Sequence, residues 1–265
     1  MRTRNGFTLV EMVMVIALMG VVLAALAPIT LNPFRTYDDL RRRAELVMLA
    51  ENALQNMARD IRSSLPNSIR INGSALELLH VSGGGRYRAQ ESDQSSSDPL
   101  DFTQADSSFQ VFGSMSTPAS GSRLVIYHTG QNGADAYSGN SVITPASTSI
   151  TVTSGTSESV VTLSTAHQFA WASPQQRFYI VDTPVTYRCS GGQLNRYDSY
   201  SIQSTTASPP VSARSARVTD LISACTFTYQ PGTPQRSAIV TLDLTLAKDN
   251  EQVRLLEQIN VPNGI

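Results

Sequence analysis

Residues 4–28, RNGFTLVEMVMVIALMGVVLAALAP, open an apolar run in which no charge occurs from Met12 to Leu31. As a helix, residues 7–31 extend roughly 37 Å at 1.5 Å per residue, enough to cross the hydrocarbon core of a bilayer. A secretory signal peptide has a shorter apolar region, about 7–15 residues, and ends at a small-residue cleavage site. Here the run is longer and no A-x-A-like site followed by a loop closes it. Pro28 leads instead towards a polar helix, so the segment is expected to be retained. One residue conflicts with its surroundings. A charged side chain inside a membrane span costs about 2.5–3.5 kcal/mol or more, yet Glu11 stands near the start of this one.

The charges flanking the span do not orient it. Arg2 and Arg4 precede it, while Arg35, Arg41, Arg42 and Arg43 follow, and counting flanking cations would favour the topology with the N-terminus outside. Ala17, Gly20, Ala24 and Ala27 are small residues three or four apart, a spacing that lets helix backbones approach and that is also common in membrane helices generally. Pro28 removes a backbone hydrogen bond and is expected to kink the helix, with Pro33 as a further break. From residue 37 to 65 a 3.6-residue stripe follows: Leu40, Ala44, Val47, Ala50, Leu54, Met57, Ile61 and Leu65. Asp38 and Asp39 suit a first helical turn, the triplet Arg41, Arg42 and Arg43 suits a solvated face, and Pro66 stops the pattern.

Beyond Pro66 the chain turns rich in Ser, Thr, Gly and Asn and reads as short strands with many turns. Strands are expected at 68–72, 75–81, 123–128, 149–152, 159–163, 177–181, 185–189, 195–200 and 224–229. The clearest is 238–246, where apolar and polar residues alternate, followed by a turn at 248–251 and a last strand at 252–261. The glycines at 83–85 are expected to form a turn, CSGGQ after Cys189 a hairpin turn, and residues 90–108 a polar loop. The fold class is therefore α+β: a long helix, hydrophobic then amphipathic, packed on a mainly antiparallel β domain. Four segments result, with boundaries at 1–6, 7–31, 32–65 and 66–265. Cys189 and Cys225 are separate buried thiols in a reducing compartment, or a disulfide closing a loop worth about 3–4 kcal/mol in an oxidising one.

Little in the chain points to reaction chemistry. With a net charge of −1 and a single lysine, Lys248, there is no basic stripe for nucleic acid. No H-E-x-x-H, C-x-x-C, P-loop or G-x-S-x-G motif occurs. The three histidines, His80, His128 and His167, are far apart and suit packed or surface positions better than a metal site. Asp93, Asp98, Asp101 and Asp106 lack the spacing of a compact calcium loop. Trp171, Phe169, Phe178 and Tyr179 are expected in the core, an aromatic binding surface being the other reading. No enzyme activity, cofactor or metal is expected. A membrane-anchored periplasmic enzyme would require a cleft with convergent polar groups, for which no residues stand out.

The stretch GFTLVE, residues 6–11, after the basic leader MRTRN, resembles the N-terminus of type IV prepilins and type II secretion pseudopilins. The resemblance implies cleavage after Gly6 by a prepilin peptidase, N-methylation of Phe7 by the same enzyme, and a chain that starts at Phe7. It implies a leader on the cytoplasmic side, a single inner-membrane span and a periplasmic β domain, whatever the flanking charges say. It also gives Glu11 a role in assembly. Cleavage creates an ammonium at Phe7, and in an apolar filament core the carboxylate can pair with that ammonium on a neighbouring subunit. A buried charge is tolerable when paired and costly alone. The plainer reading of Glu11 is an interfacial carboxylate with no partner. A periplasmic location favours the Cys189–Cys225 disulfide, although forty residues follow Cys225, more than in the family's usual C-terminal bridge.

Within the family, the length suits a minor subunit. Residues 46–71, DPLDF at 98–102 and VDTPVTYRCSGGQLNRY at 181–197 resemble biogenesis subunits of mannose-sensitive haemagglutinin pili. The large J-type minor pseudopilin of type II secretion is the close alternative, and a pilus-tip adhesin a more distant one. Implied partners are other minor and major pilin-like subunits and the inner-membrane assembly platform, and the resemblance implies a role in initiating or capping the fibre. The presence of Glu11 argues against the extreme tip, whose occupant tends to lack it.

Overall fold

The structure, a computed structural model, describes residues 6–91, 97–139, 141–205, 208–232 and 236–261; the side chains of residues 27–36 fall outside this set. Among the described residues a single α-helix, α1 (Leu9–Arg62), is followed by twelve strands and one short 3-10 turn at Ala136–Ser138. These are β1 (Arg70–Asn72), β2 (Ala75–Arg86), β3 (Asp106–Phe112), β4 (Arg123–Val125), β5 (Ile150–Thr153) and β6 (Glu158–His167). Then come β7 (Arg177–Ser190), β8 (Gln193–Asp198), β9 (Arg214–Thr219), β10 (Ile222–Gln230), β11 (Ala238–Lys248) and β12 (Glu251–Val261). All pairings between strands are antiparallel, giving the expected α+β architecture. One sheet runs β1-β2-β7-β8-β9 with β4 also on β7, a second β10-β11-β12, and a third β3-β6-β5.

The helix is assigned without interruption through Pro28 and Pro33. The kink expected at Pro28 lies outside the residues whose side chains are described. The second half packs where its stripe is densest: Leu46, Ala50, Ala53, Leu54, Met57, Ala58 and Ile61 are buried. They meet the inward row of β11, Ala238, Val240, Leu242, Leu244 and Leu246, in one core with residues of the six-stranded sheet. Leu40 and Ala44, expected on the same buried face, are exposed, because the β domain reaches only as far as Leu46. Lys248 Nζ, at the β11–β12 turn, bonds Glu45 Oε2 at 3.1 Å and marks that limit. At the other end Ser63 caps the helix, its N–H donating to Arg59 O at 3.1 Å. Leu65, expected in the last turn, instead donates its N–H to Leu79 O of β2 at 2.8 Å.

Several strand assignments differ from expectation. The glycines at 83–85 do not turn the chain; they continue β2, pairing with Ile180, Tyr179 and Phe178. A Cβ at Gly84 would stand 2.7 Å from Phe178 O, so close approach of β7 requires glycine there, and one at Gly85 would press on the Phe178 ring at 3.1 Å. The segments expected at 177–181 and 185–189 are one strand, β7, with Pro184 inside it. Pro184 is accommodated because β4 pairs with Tyr179–Val181 and β8 with Thr186–Ser190, leaving residues 182–185 without a paired strand on that side among the described residues. The strand expected to reach residue 128 stops at Val125, since Tyr127 adopts a left-handed backbone with φ 57°. β3 and β9 were not anticipated: β3 grows out of the polar loop, and β9, RSARVT, has an exposed, charged pattern.

Cys189 of β7 and Cys225 of β10 form a disulfide, their Cα atoms 6.4 Å apart. The bridge therefore ties the six-stranded sheet to the β10-β11-β12 sheet, the two that grip the helix. A charged network fastens the helix to the six-stranded sheet. Asp60 of the helix accepts from Tyr187 Oη at 2.8 Å and from Arg196 Nε at 2.7 Å, and Arg196 also pairs with Asp198. Arg214 donates to Asp198 at 2.7 Å, and this contact, with help from Ser199 and Arg196, pulls the carboxyl down to about 2.

Candidate assembly helix

Residues 9–44 of α1 extend about 54 Å at 1.5 Å per residue. Among their described side chains none is buried against the β domain. Leu9–Leu26 form an 18-residue window of mean hydropathy 2.7, 0% buried, with Val15, Ile16, Leu18, Val22 and Leu23 all more than half exposed. So much contiguous apolar surface is strongly unfavourable in water and requires lipid or other apolar helices around it.

The first turn is built by Thr8 and Glu11. Thr8 has extended backbone, and its Oγ1 accepts the N–H of Glu11 at 3.3 Å, while Thr8 O accepts from Met12 at 3.2 Å. The T-x-x-E spacing is that of a capping box, a signal present in the sequence but masked by the motif around it. Glu11 thus places its carboxylate in the first turn, where it complements the helix dipole. Its side chain is exposed. Capping and dipole terms contribute about 0.3–1 kcal/mol each. They do not offset the 2.5–3.5 kcal/mol or more of a charge in apolar surroundings. A further cationic partner is needed wherever the helix is surrounded by apolar matter. Phe7, 82% exposed, lies immediately before the cap. A Cβ at Gly6 would meet nothing within 4 Å, so packing of the fold does not account for glycine there.

Among its described residues the β domain brings together no competing constellation. His80 Nδ1 lies 2.8 Å from Asp182 Oδ1, and this hydrogen bond raises its pKa. His128 is buried; its Nδ1 accepts the Ala136 N–H at 3.0 Å, so that nitrogen is unprotonated, and burial lowers its pKa. His167 stands edge-on to Phe169 at 4.6 Å between ring centres. Among the described residues no three His, Cys, Asp or Glu side chains are placed to hold a metal. Asp98, Asp101 and Asp106 are occupied with local turns: Asp106 accepts the Asp101 and Ser108 N–H groups, Asp101 that of Thr103, and Asp98 the Ser108 hydroxyl at 2.7 Å. Asp93 lies outside the described residues. Phe169 and Phe178 are core residues as expected, but Trp171 is not: it is 53% exposed, with Nε1 donating to Gly133 O at 3.3 Å. It lies two residues beyond the buried Phe169, in the segment between β6 and β7.

Residues 1–27 match the family model described as the prokaryotic N-terminal methylation motif. No curated protein and no solved structure matches the chain. The motif supports a type IV pilin-like protein that is processed by a prepilin peptidase, and the single apolar helix fits a one-span membrane anchor.

Proposed function

We propose that this chain is a minor structural subunit of a type IV pilus, of the mannose-sensitive haemagglutinin type, acting in initiation or assembly of the fibre and not in catalysis. The observation that carries the reading is the long apolar half of α1, wholly uncovered by its own domain and headed by the methylation motif and Glu11. The leader, residues 1–6, is cut after Gly6 on the cytoplasmic side and Phe7 is N-methylated. The processed chain waits in the inner membrane with its β domain in the periplasm. The assembly platform then draws it out of the bilayer, and the helix exchanges lipid for the helices of other minor and major subunits. N-methylation keeps the positive charge of the new terminus. The ammonium of one subunit therefore remains able to pair with Glu11 of the next, and the pair penalises every axial register that separates them.

The same architecture serves a large minor pseudopilin of type II secretion, and a deletion strain separates the two. The pilus reading expects surface fibres counted by electron microscopy to fall to near zero while exoprotein release into the medium is unchanged. Normal fibres with exoproteins retained in the periplasm would transfer the subunit to the secretion system.

A further inference from the structure

Where α1 ends, its surface meets an open sheet edge. β2 is flanked by β1 at residues 75–77, and Ser64 bridges His80. Val81 donates its N–H to Ser63 O, and the next contact on that side is the bridge between Tyr87 and Val111. Between them, residues 82–86 have no backbone partner on this edge among the described residues. Packing against Phe178 accounts for Gly84 and crowds Gly85, but has no bearing on Gly83: a Cβ there meets nothing within 4 Å and its backbone is not left-handed. A glycine inside a strand weakens it and, absent an internal reason, marks a place where another backbone approaches closely.

The edge lies along a groove. Three adjoining depressions of about 430, 200 and 310 Å³ run from the last turns of α1 to the glycine strand. The first two share Arg62 and Ser63, and the last two share Val81, Arg177 and Tyr179. Arg59, Arg62, Arg86 and Arg177 line it, all exposed, against one carboxylate, Glu257, which sits 3.9 Å from Arg62. Arg59, Arg86 and Arg177 carry no ion pair among the described residues. In a chain of net charge −1 this is a concentrated positive strip.

We propose that the groove docks an extended acidic segment of a partner polypeptide, which adds to residues 82–86 of β2 as a further strand and sets its carboxylates on these arginines. The arginines alone would accept any polyanion. The free N–H and C=O groups of the edge, beside a glycine that nothing inside the fold demands, match a peptide backbone in strand pairing and not a polysaccharide. This holds whichever fibre the chain joins.

The test uses the full chain in detergent micelles and a fluorescein-labelled peptide alternating glutamate and threonine, read by anisotropy. The wild type is expected to bind it, and the double variant Arg59→Glu, Arg177→Glu about tenfold more weakly. Both positions are exposed and unpaired, and an unchanged melting temperature verifies the fold. The same peptide N-methylated at alternate amides keeps its charge but cannot pair as a strand, and is expected not to bind. Equal binding of the N-methylated peptide or of a heparin hexasaccharide would make this a general polyanion site and overturn the proposal. So would equal binding by the double variant, or no binding of the unmethylated peptide at all.

Discussion

Replacing Glu11 by leucine should leave the chain in the inner membrane and remove it from the fibre. Leucine favours insertion of an apolar helix where glutamate opposes it, so membrane recovery should be undiminished. In the assembled core, however, the substitution strands the ammonium of a neighbouring Phe7 in apolar surroundings. Leaving one member of a buried pair alone costs about 3–5 kcal/mol, a loss of at least about 100-fold in incorporation at 1.4 kcal/mol per factor of ten. Immunoblots of sheared fibres and of washed membranes, normalised to each other, measure both quantities. Glutamine at the same position should fail in the same way, since it preserves shape without charge. Incorporation of the leucine variant at wild-type levels would mean that the carboxylate serves only the first-turn capping described above.

The second large effect lies in the β domain. Changing both Cys189 and Cys225 to serine releases a loop of sequence separation 36, which loop entropy values at about 4 kcal/mol. For a domain of this size that is a fall of about 8–16 °C in melting temperature. The loss should be concentrated at one seam, because the bridge is the covalent link between the six-stranded sheet and the β10-β11-β12 sheet around α1. Circular dichroism of the full chain in micelles, wild type against double variant, measures it, and reduced wild type should melt with the variant. A shift under about 2 °C would show that the shared apolar core around α1 holds the two sheets without help.

What the sequence made legible follows from how local each signal is. The apolar span, the helical stripe from Ala50 to Ile61 and the alternation along β11 each depend on residues a few positions apart, and each appears where expected. The candidate site is of this kind too: Gly6, Phe7 and Glu11 are neighbours in the chain, though the capping role of Thr8 was hidden by the motif that contains it. The glycines at 83–85 were misread because their reason is remote. Gly84 and Gly85 lie against Phe178, nearly a hundred positions away, and a turn is what three glycines mean in isolation. β7 likewise contains Pro184, whose place inside a strand depends on the remote gap between β4 and β8. The arginine-lined groove draws on α1, β2 and β7 together, and no single stretch of sequence displays it.

The central claim is that the chain is processed at its N-terminus for assembly, and intact mass spectrometry of the protein purified from its native membrane tests it most directly. The account predicts a chain that begins at Phe7 and carries one methyl group on its terminal nitrogen. A chain that retains Met1, or one cut near Ala27 so that the apolar helix is lost, would contradict it.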